Sequence, residues 1–469
     1  LLLEPYLSSI INPTPPQRTP RELDGHVVIA GYGELTREIV EDLAITDVPI
    51  VIVEENMDIA REIDRLHRQK VFVVWGDYGE TATWEHAHVG RASAVIVSED
   101  ERAAANVILG IRTLTKGTIV AVVDDLAFDR YLYFAGADRV VSPKNSTGQI
   151  LGKHAVIRRS GETIADGLTR EDEESPEGGG TRHGLRLVMI PVMPGSRAIG
   201  KTCRELRIAD QYGIHVIAYW RSGTFVAEPP AGDCVDATTM LYVLGRGDAI
   251  EALISEEFST GDNGTATAIV AGFGDVGKAA FRELAHAGID CVVVDRKEQM
   301  ESGIVGNAED DAVLLGARID EAKICVVAIN DDNVNIFTTL MARNMNPAIR
   351  ILARANEPAS VDRLYRAGAD YVALLPAIGG QVVAGIVLSG TVTVMLDLPD
   401  RRKVIARRLA RNAPASVEEI EQVTGVQVLG IERSEGQLVM PPRSERIGKG
   451  DTVIVIGENR RIRRFIERY

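Results

Sequence analysis

The sequence predicts an α/β protein with two doubly wound parallel-sheet domains, each followed by a small α+β domain. Three observations predict it. Two apolar runs, His26-Val27-Val28-Ile29-Ala30 and Ala268-Ile269-Val270-Ala271, each lead into Gly-x-Gly. Short β-branched runs then alternate with helical periodicity. Landmarks of the first half recur in the second at near-constant spacing.

Taken in order, residues 1–24 open on Leu1-Leu2-Leu3 and Ser8-Ser9-Ile10-Ile11, too short to span a bilayer. The prolines between Asn12 and Pro20 make a stiff extended linker. The chain is expected to continue N-terminally of Leu1, and a pore helix would fit there. Over 25–160, the runs Val48 to Val53, Val71 to Val74, Ala94 to Val97 and Thr118 to Val123 read as strands. Leu35, Ile39 and Leu43 recur every four residues and give one stripe that can dock on a sheet. Strands alternating with helices need right-handed crossovers, hence a parallel, Rossmann-like sheet.

Residues 161–182 hold the acidic run Arg170 to Gly180, a flexible linker by composition. Over 183–258, strands at Arg186 to Pro191, Val216 to Trp220 and Leu241 to Leu244 surround a helix expected near Cys203 to Ile208. Residues 264–395 and 396–469 repeat this pair of domains. Gly31 and Gly272 differ by 241, as do Glu54 and Asp295. Ala135-Gly136-Ala137-Asp138 matches Ala367-Gly368-Ala369-Asp370 at an offset of 232. Gly213 to Ile217 matches Gly425 to Leu429 at 212. A repeat this long is domain duplication, not a solenoid. Glu54 to Gly76 spans 22 residues but Asp295 to Gly306 spans 11, so the second copy is expected to lack a helix there.

Composition bounds the function. With 469 residues, 45% hydrophobic and 25% charged, the chain suits several globular domains. A net charge of −15 repels a nucleic-acid backbone. The basic runs Arg401-Arg402-Lys403 with Arg407-Arg408, and Arg460-Arg461 with Arg463-Arg464, read as solvated helix faces. Four cysteines without a Cys-x-x-Cys pair argue against zinc and against a disulfide framework, and Cys291 and Cys325 read as inert buried thiols.

The chemistry lies in the glycine bends. After a strand, Gly-x-Gly lets the backbone approach a pyrophosphate, and the next helix offers unpaired N–H groups. Gly272-x-Gly274-x-x-Gly277 is complete, and Asp295, 23 residues after Gly272, can accept ribose hydroxyls. The first copy reads Gly31-x-Gly33-x-x-Thr36, with Glu54 as the corresponding acid. Thr36 stands where close helix packing favours glycine.

These residues resemble tandem RCK (regulator of K+ conductance) domains, also called TrkA-N and TrkA-C, from His26 to Tyr469. Carrying the resemblance are Gly31 to Thr36, Gly76-Asp77, Ala135 to Pro143, and Ala353-Arg354-Ala355-Asn356 before Ala367 to Asp370. The resemblance implies N-lobes that bind NAD or another adenine nucleotide such as ATP or ADP; some members bind Ca2+ instead. Carried over, Gly31, Tyr32, Gly33, Glu34, Leu35, Thr36, Glu54, Gly76 and Asp77 form the first cleft. Gly272, Phe273, Gly274, Asp275, Val276, Gly277, Asp295, Gly306, Asn307 and Arg354 form the second, with Arg354 reaching for a phosphate or else making a surface salt bridge. Asp124 ends a strand where calcium-gated relatives carry a pair of acids, and Val122 stands in place of the other; Asp124 with Asp125, and Glu99 with Asp100, are the calcium candidates. The run Gly379 to Leu388 is small and apolar all round, which suits burial against a partner; intrachain burial is the alternative.

The resemblance thus implies the cytosolic gating module of a potassium channel. Its partners would be a pore on the same chain and three further copies, completing an eight-lobe ring at the cytoplasmic face of the membrane. One alternative is a detachable transporter subunit. Another is an NAD-dependent oxidoreductase, for which His67, His86, His88 and His154 offer no obvious catalytic partner.

Overall fold

The computed structural model describes residues 14–66, 71–155, 185–192, 195–221, 224–230, 232–236, 238–258, 267–297, 303–388, 392–398, 402–409, 415–433 and 436–469. The linker 161–182, the opening leucines, His67 and Arg401 lie outside them.

The first copy runs β1 (Val27–Ala30), α1 (Glu34–Leu43), β2 (Ile50–Glu54), α2 (Met57–Leu66), β3 (Val71–Trp75), α3 (Thr81–His86), β4 (Ala94–Ser98), α4 (Glu101–Arg112), β5 (Thr118–Val122), α5 (Asp129–Ala135), β6 (Arg139–Val141) and α6 (Pro143–Ala155). Its sheet has the order β3-β2-β1-β4-β5-β6, parallel throughout. Helices cover both faces, which is why β1, β2 and β4 are nearly continuous runs of buried Val, Ile and Ala.

A smaller unit follows: β7 (Leu185–Pro191), α7 (Ile208–Tyr212), β8 (His215–Arg221), β9 (Thr224–Ala227), β10 (Met240–Arg246) and α8 (Gly247–Leu253), with antiparallel order β7-β10-β8-β9. The helix expected near Cys203 to Ile208 begins only at Ile208, because Arg207 is left-handed at φ +50° and closes the turns before it.

The second copy repeats the sheet with β11 (Thr267–Ala271), α9 (Asp275–His286), β12 (Asp290–Asp295), β13 (Ile304–Val305), α10 (Asp311–Gly316), β14 (Ile324–Val327), α11 (Asp332–Met345), β15 (Arg350–Ala355), α12 (Pro358–Ala367), β16 (Tyr371–Leu374) and α13 (Leu375–Leu388), in order β13-β12-β11-β14-β15-β16. Among the described residues no helix separates β12 from β13. The last unit is β17 (Thr393–Asp397), β18 (Arg402–Arg408), β19 (Ala415–Ser416), α14 (Val417–Thr424), β20 (Gln427–Arg433), β21 (Gly436–Val439), β22 (Arg446–Ile447), β23 (Thr452–Glu458) and α15 (Asn459–Arg468). The first basic run therefore lies on a strand, with Lys403 buried, rather than on a helix; the second lies on α15.

The chain forms two compact units, 1–143 with 379–388, and 144–378 with 389–469. The division cuts α6 and α13. In the first unit, Gly379 and Gly380 of α13 lie against α1, where an added Cβ would meet Leu35 Cδ1 at 2.6 Å and Glu38 Cβ at 2.9 Å. In the second, Gly148 and Gly152 of α6 lie against α9, with Val276 O 2.2 Å and Glu283 Cβ 2.4 Å from the same hypothetical atoms. Glycine is needed at these places because two helix backbones meet. Over 379–388, Gly379, Gly380, Val382, Val383, Ala384 and Leu388 are buried within the chain, whereas Gln381, Gly385, Ile386 and Val387 stay half-exposed. The second unit also stacks Trp220 of β8 on Tyr365 of α12, with centroids 4.2 Å apart, inside one core shared by β7 to β10 and the second sheet. Among the described residues no helix is long and apolar enough to cross a membrane.

Candidate nucleotide clefts

In the second unit a cleft of about 960 Å3 opens where the strand order reverses between β11 and β14, a size suited to a cofactor. Gly272, Gly274, Asp295, Gly306 and Asn307 line it, as the sequence predicts, together with Arg296, Lys297, Asn330, Asp331, Asn356 and Arg363. Each glycine has its own reason. Gly272 is at φ +93°, which L side chains rarely adopt, and its Cβ would meet Ile329 and the Ala328 backbone. A Cβ on Gly277 would stand 1.9 Å from Gly272 O, so only glycine lets α9 start so close to β11. Gly274 has nothing within 4 Å of its Cβ position, leaving the bend open where a phosphate would approach.

Asp295 holds the bend from below. Its carboxylate accepts the Phe273 amide at 2.6 Å and the Lys297 amide at 2.9 Å. The Phe273 ring packs edge-on against Phe281, so that residue contributes its amide to the bend and its ring to the core. Val276 is fully buried beneath α6 and is a packing residue; Asp275, exposed in the first turn of α9, complements the helix dipole. Asn307 accepts from Arg296 at 2.9 Å, which holds that guanidinium at the mouth.

Arg354 is buried, so the surface salt bridge offered as an alternative does not hold. Its guanidinium donates to Asn330 Oδ1 at 2.8 Å and to Asn356 Oδ1 at 2.6 and 2.9 Å. It sits behind the two asparagines that line the cleft and is not a surface salt bridge. Sequence reading missed both asparagines, as well as Asp332, which accepts the Asn356 and Glu357 amides.

The first unit shares this geometry but not its chemistry. Gly31 is at φ +85°, and its Cβ position lies 2.6 Å from Glu99 Oε1. Gly33 has nothing within 4 Å of its Cβ position. Its amide, however, donates to Thr36 Oγ1 at 2.6 Å, and that hydroxyl donates back to Gly33 O at 3.0 Å. Glu54 accepts the Asn56 amide at 2.8 Å and also the Tyr32 amide. Burial, then the Glu99 charge, holds the Glu54 carboxyl above its ordinary range; burial does the same to Glu99, which accepts from Tyr78 Oη at 3.1 Å. Leu35 packs on Gly379, the Tyr32 ring lies by Arg37, and Glu34 is exposed in the first turn of α1. Gly76 closes against Thr83, and Asp77 accepts the Gly79 amide at 2.7 Å.

The calcium candidates are not assembled into a site. Asp100 caps α4 by accepting the Arg102 and Ala103 amides, Asp125 accepts the Ala127 amide, and Asp124 O receives the Ser142 hydroxyl. Among the described residues no three His, Cys, Asp or Glu side chains are placed to share a metal, and calcium needs about six to eight oxygens. Cys325 is buried, which pushes its thiol up to about 12, and Cys291 up to about 11, as expected of inert thiols.

The Ala-Gly-Ala-Asp runs are structural. Asp138 binds Arg112 at 2.9 Å and the Ile119 amide at 2.7 Å; Asp370 binds Arg343 at 2.8 Å and the Ile351 amide at 2.7 Å. Each ties a helix end to the next strand.

The TrkA-N domain model matches residues 27–143 and 268–375, and the TrkA-C domain model residues 415–469. Potassium channel protein 1 of Methanocaldococcus jannaschii is 27% identical over 220 residues, 42% of this chain and 66% of that protein. Probable potassium channel protein 2 of the same organism is 30% identical over 214 residues, 40% of this chain and 62% of that one. The chain thus spans just under two thirds of these relatives. Ktr system potassium uptake protein A of Vibrio alginolyticus is 26% identical over 206 residues, 40% of this chain and 90% of that protein. Among solved structures, the GsuK channel bound to NAD is 26% identical with a TM-score of 0.62, covering 99% of this chain and 82% of that one.

Proposed function

The chain belongs to the RCK family of TrkA-N and TrkA-C domains, and from that premise we propose that it is the cytosolic ligand-sensing gating module of a potassium channel. In this reading an adenine nucleotide, NAD or ADP or ATP, occupies the cleft at Gly272 to Gly277, and its occupancy controls K+ flux through a pore preceding the Pro-rich linker. The observation that carries the reading is the open Gly274 bend, held by Asp295 and flanked by Arg296 and Lys297. Similarity to a channel structure bound to NAD supports it.

Helix α9 would direct its N-terminal amides at a phosphate, Asp295 would accept ribose hydroxyls, and the bases would offset the phosphate charge. Binding drives a pore only through differential affinity for two conformations. Four chains would supply eight lobes for a fourfold pore at the cytoplasmic face of the membrane, an assembly that native mass spectrometry would weigh as a tetramer. A detachable subunit is the second reading, favoured by the 90% coverage of the Vibrio uptake protein. The natural sequence upstream of Leu1 separates the two. We assign the family's regulatory role and no turnover; consumption of NADH with small carbonyl compounds would revive an oxidoreductase.

The test is thermal stability of the protein titrated with NAD+, NADH, ADP and ATP. A rise with at least one of them, abolished in Gly274→Asp, is expected. No shift with any would remove the nucleotide from the proposal.

A further inference from the structure

We propose that the two copies have diverged so that only the second cleft holds an anionic nucleotide, while the first, of the same fold, excludes its phosphates. This rests on the nucleotide reading above and assigns it to one copy.

The sheet registers make the two clefts comparable residue by residue. Ala30 pairs with Val53 and Val97, as Ala271 pairs with Val294 and Val327. Glu54 is therefore equivalent to Asp295, and the next two positions are Glu55 and Asn56 in the first copy against Arg296 and Lys297 in the second. Val97 pairs with Ala121 and Val327 with Ala353, which makes Val122 the counterpart of Arg354. Counting back from the helix-ending glycines Gly136 and Gly368 makes Tyr131 the counterpart of Arg363. Every base lining or backing the second cleft is thus an acid or a neutral residue in the first. The converse replacement is Arg102 for Asn333, and Arg37 and Lys278 are basic in both; Arg37 lies beside the Tyr32 ring and Glu62.

Two contacts close the first bend itself. Beside Gly272 stands Ile329, whereas the same place beside Gly31 is taken by the Glu99 carboxylate, and Glu54 is close enough for the two charges to interact. The Gly33 amide, which should point at a phosphate, is taken by Thr36 Oγ1, while Gly277 has no side chain to compete in this way. A diphosphate entering the first cleft would meet Glu54, Glu55 and Glu99 together, with one amide donor already used.

The backbone supplies a matched pair of probes. Gly33 is extended at φ −158° and Gly274 sits at φ −74°, so both accept a side chain without strain, and both have open space at Cβ. Titration calorimetry of the full chain with ADP and with NAD+ is expected to give one site per chain. Gly33→Asp should leave that stoichiometry and affinity unchanged, whereas Gly274→Asp should abolish binding. The surface change Lys297→Glu, which does not touch the core, should weaken binding roughly tenfold. Two sites per chain, or a site lost in Gly33→Asp, would overturn the division and leave the nucleotide reading standing. No binding of either nucleotide to the wild type would overturn both.

Discussion

The Thr36 hydroxyl accepts the Gly33 amide at 2.6 Å and donates to the Gly33 carbonyl at 3.0 Å, closing the first turn of α1 on itself. In the second copy the equivalent position is Gly277, pressed against Gly272 O. The same bend is thus secured by a hydroxyl in one copy and by a missing side chain in the other.

Thr36→Val keeps the shape and removes the hydroxyl. It should destabilise the first unit by about 0.5–2 kcal/mol, the usual worth of a helix-capping side chain. Thr36→Ser should recover most of that. Denaturant unfolding of the three proteins checks it, and equal stability of Val and wild type would mean that the hydrogen bond contributes nothing.

Gly277→Ala should cost the second unit about 2–3 kcal/mol, because the methyl meets backbone and not a movable side chain. Gly274→Ala, with open space around it, should change stability by less than about 0.5 kcal/mol. A calorimetric melt showing the two alike would contradict the packing described at this bend.

Much of this was legible in the sequence, and for identifiable reasons. Parallel strands buried on both faces read as apolar runs, so β1, β2, β4 and β11 appear directly, and the duplicated Gly-x-Gly marks both bends. Of the two asparagines in front of Arg354, Asn330 carries no periodic or motif signal, and Asn356, though part of the Ala353 to Asn356 run, has nothing in that run to mark it as lining the cleft. No such signal marks the Glu99 carboxylate beside Gly31, which only the pairing of β1 with β4 brings there. Val122 was legible as a missing acid; that it also replaces Arg354 becomes clear only from the strand registers. The helix expected before Ile208 failed because the left-handed turn at Arg207 has no glycine to announce it.

Protonation of Glu54 and Glu99 should act on stability in the opposite direction to protonation of the buried histidines, His26 in the first unit and His154 in the second. Burial raises the Glu54 and Glu99 carboxyls above their usual value, so the folded first unit binds protons more readily than the unfolded chain. The stability this gives is complete below the ordinary carboxylate value and is lost as pH rises through the raised one. In the second unit, burial and then Lys153 lower His154 to about 3; its ring lies edge-on to Tyr371, with Nδ1 buried and unpartnered among the described residues. That unit keeps its stability above pH about 6.5 and loses it as pH falls toward 3. Hydrogen exchange resolved by segment at pH 7 and pH 5 should show protection falling at 144–155, while across β1 to β4 the gain from Glu54 and Glu99 offsets the loss from His26. Glu99→Gln should remove that offset across β1 to β4 and leave the change at 144–155, and a first unit that responds to pH as the wild type does would defeat the assignment.

Arg354 offers the sharpest separation of charge from geometry. Its planar fork spans Asn330 and Asn356 and ties their side-chain oxygens together at the cleft. Lysine keeps the positive charge but presents a single ammonium that cannot bridge both oxygens in the same way. Arg354→Lys should therefore weaken nucleotide binding roughly tenfold while preserving most of the unfolding free energy. Arg354→Ala should lose binding and also about 1–3 kcal/mol of stability, because a buried side chain and its hydrogen bonds to both asparagines are removed. Unchanged affinity in the lysine variant would show that charge alone matters there, and that the asparagine positions set nothing about the ligand.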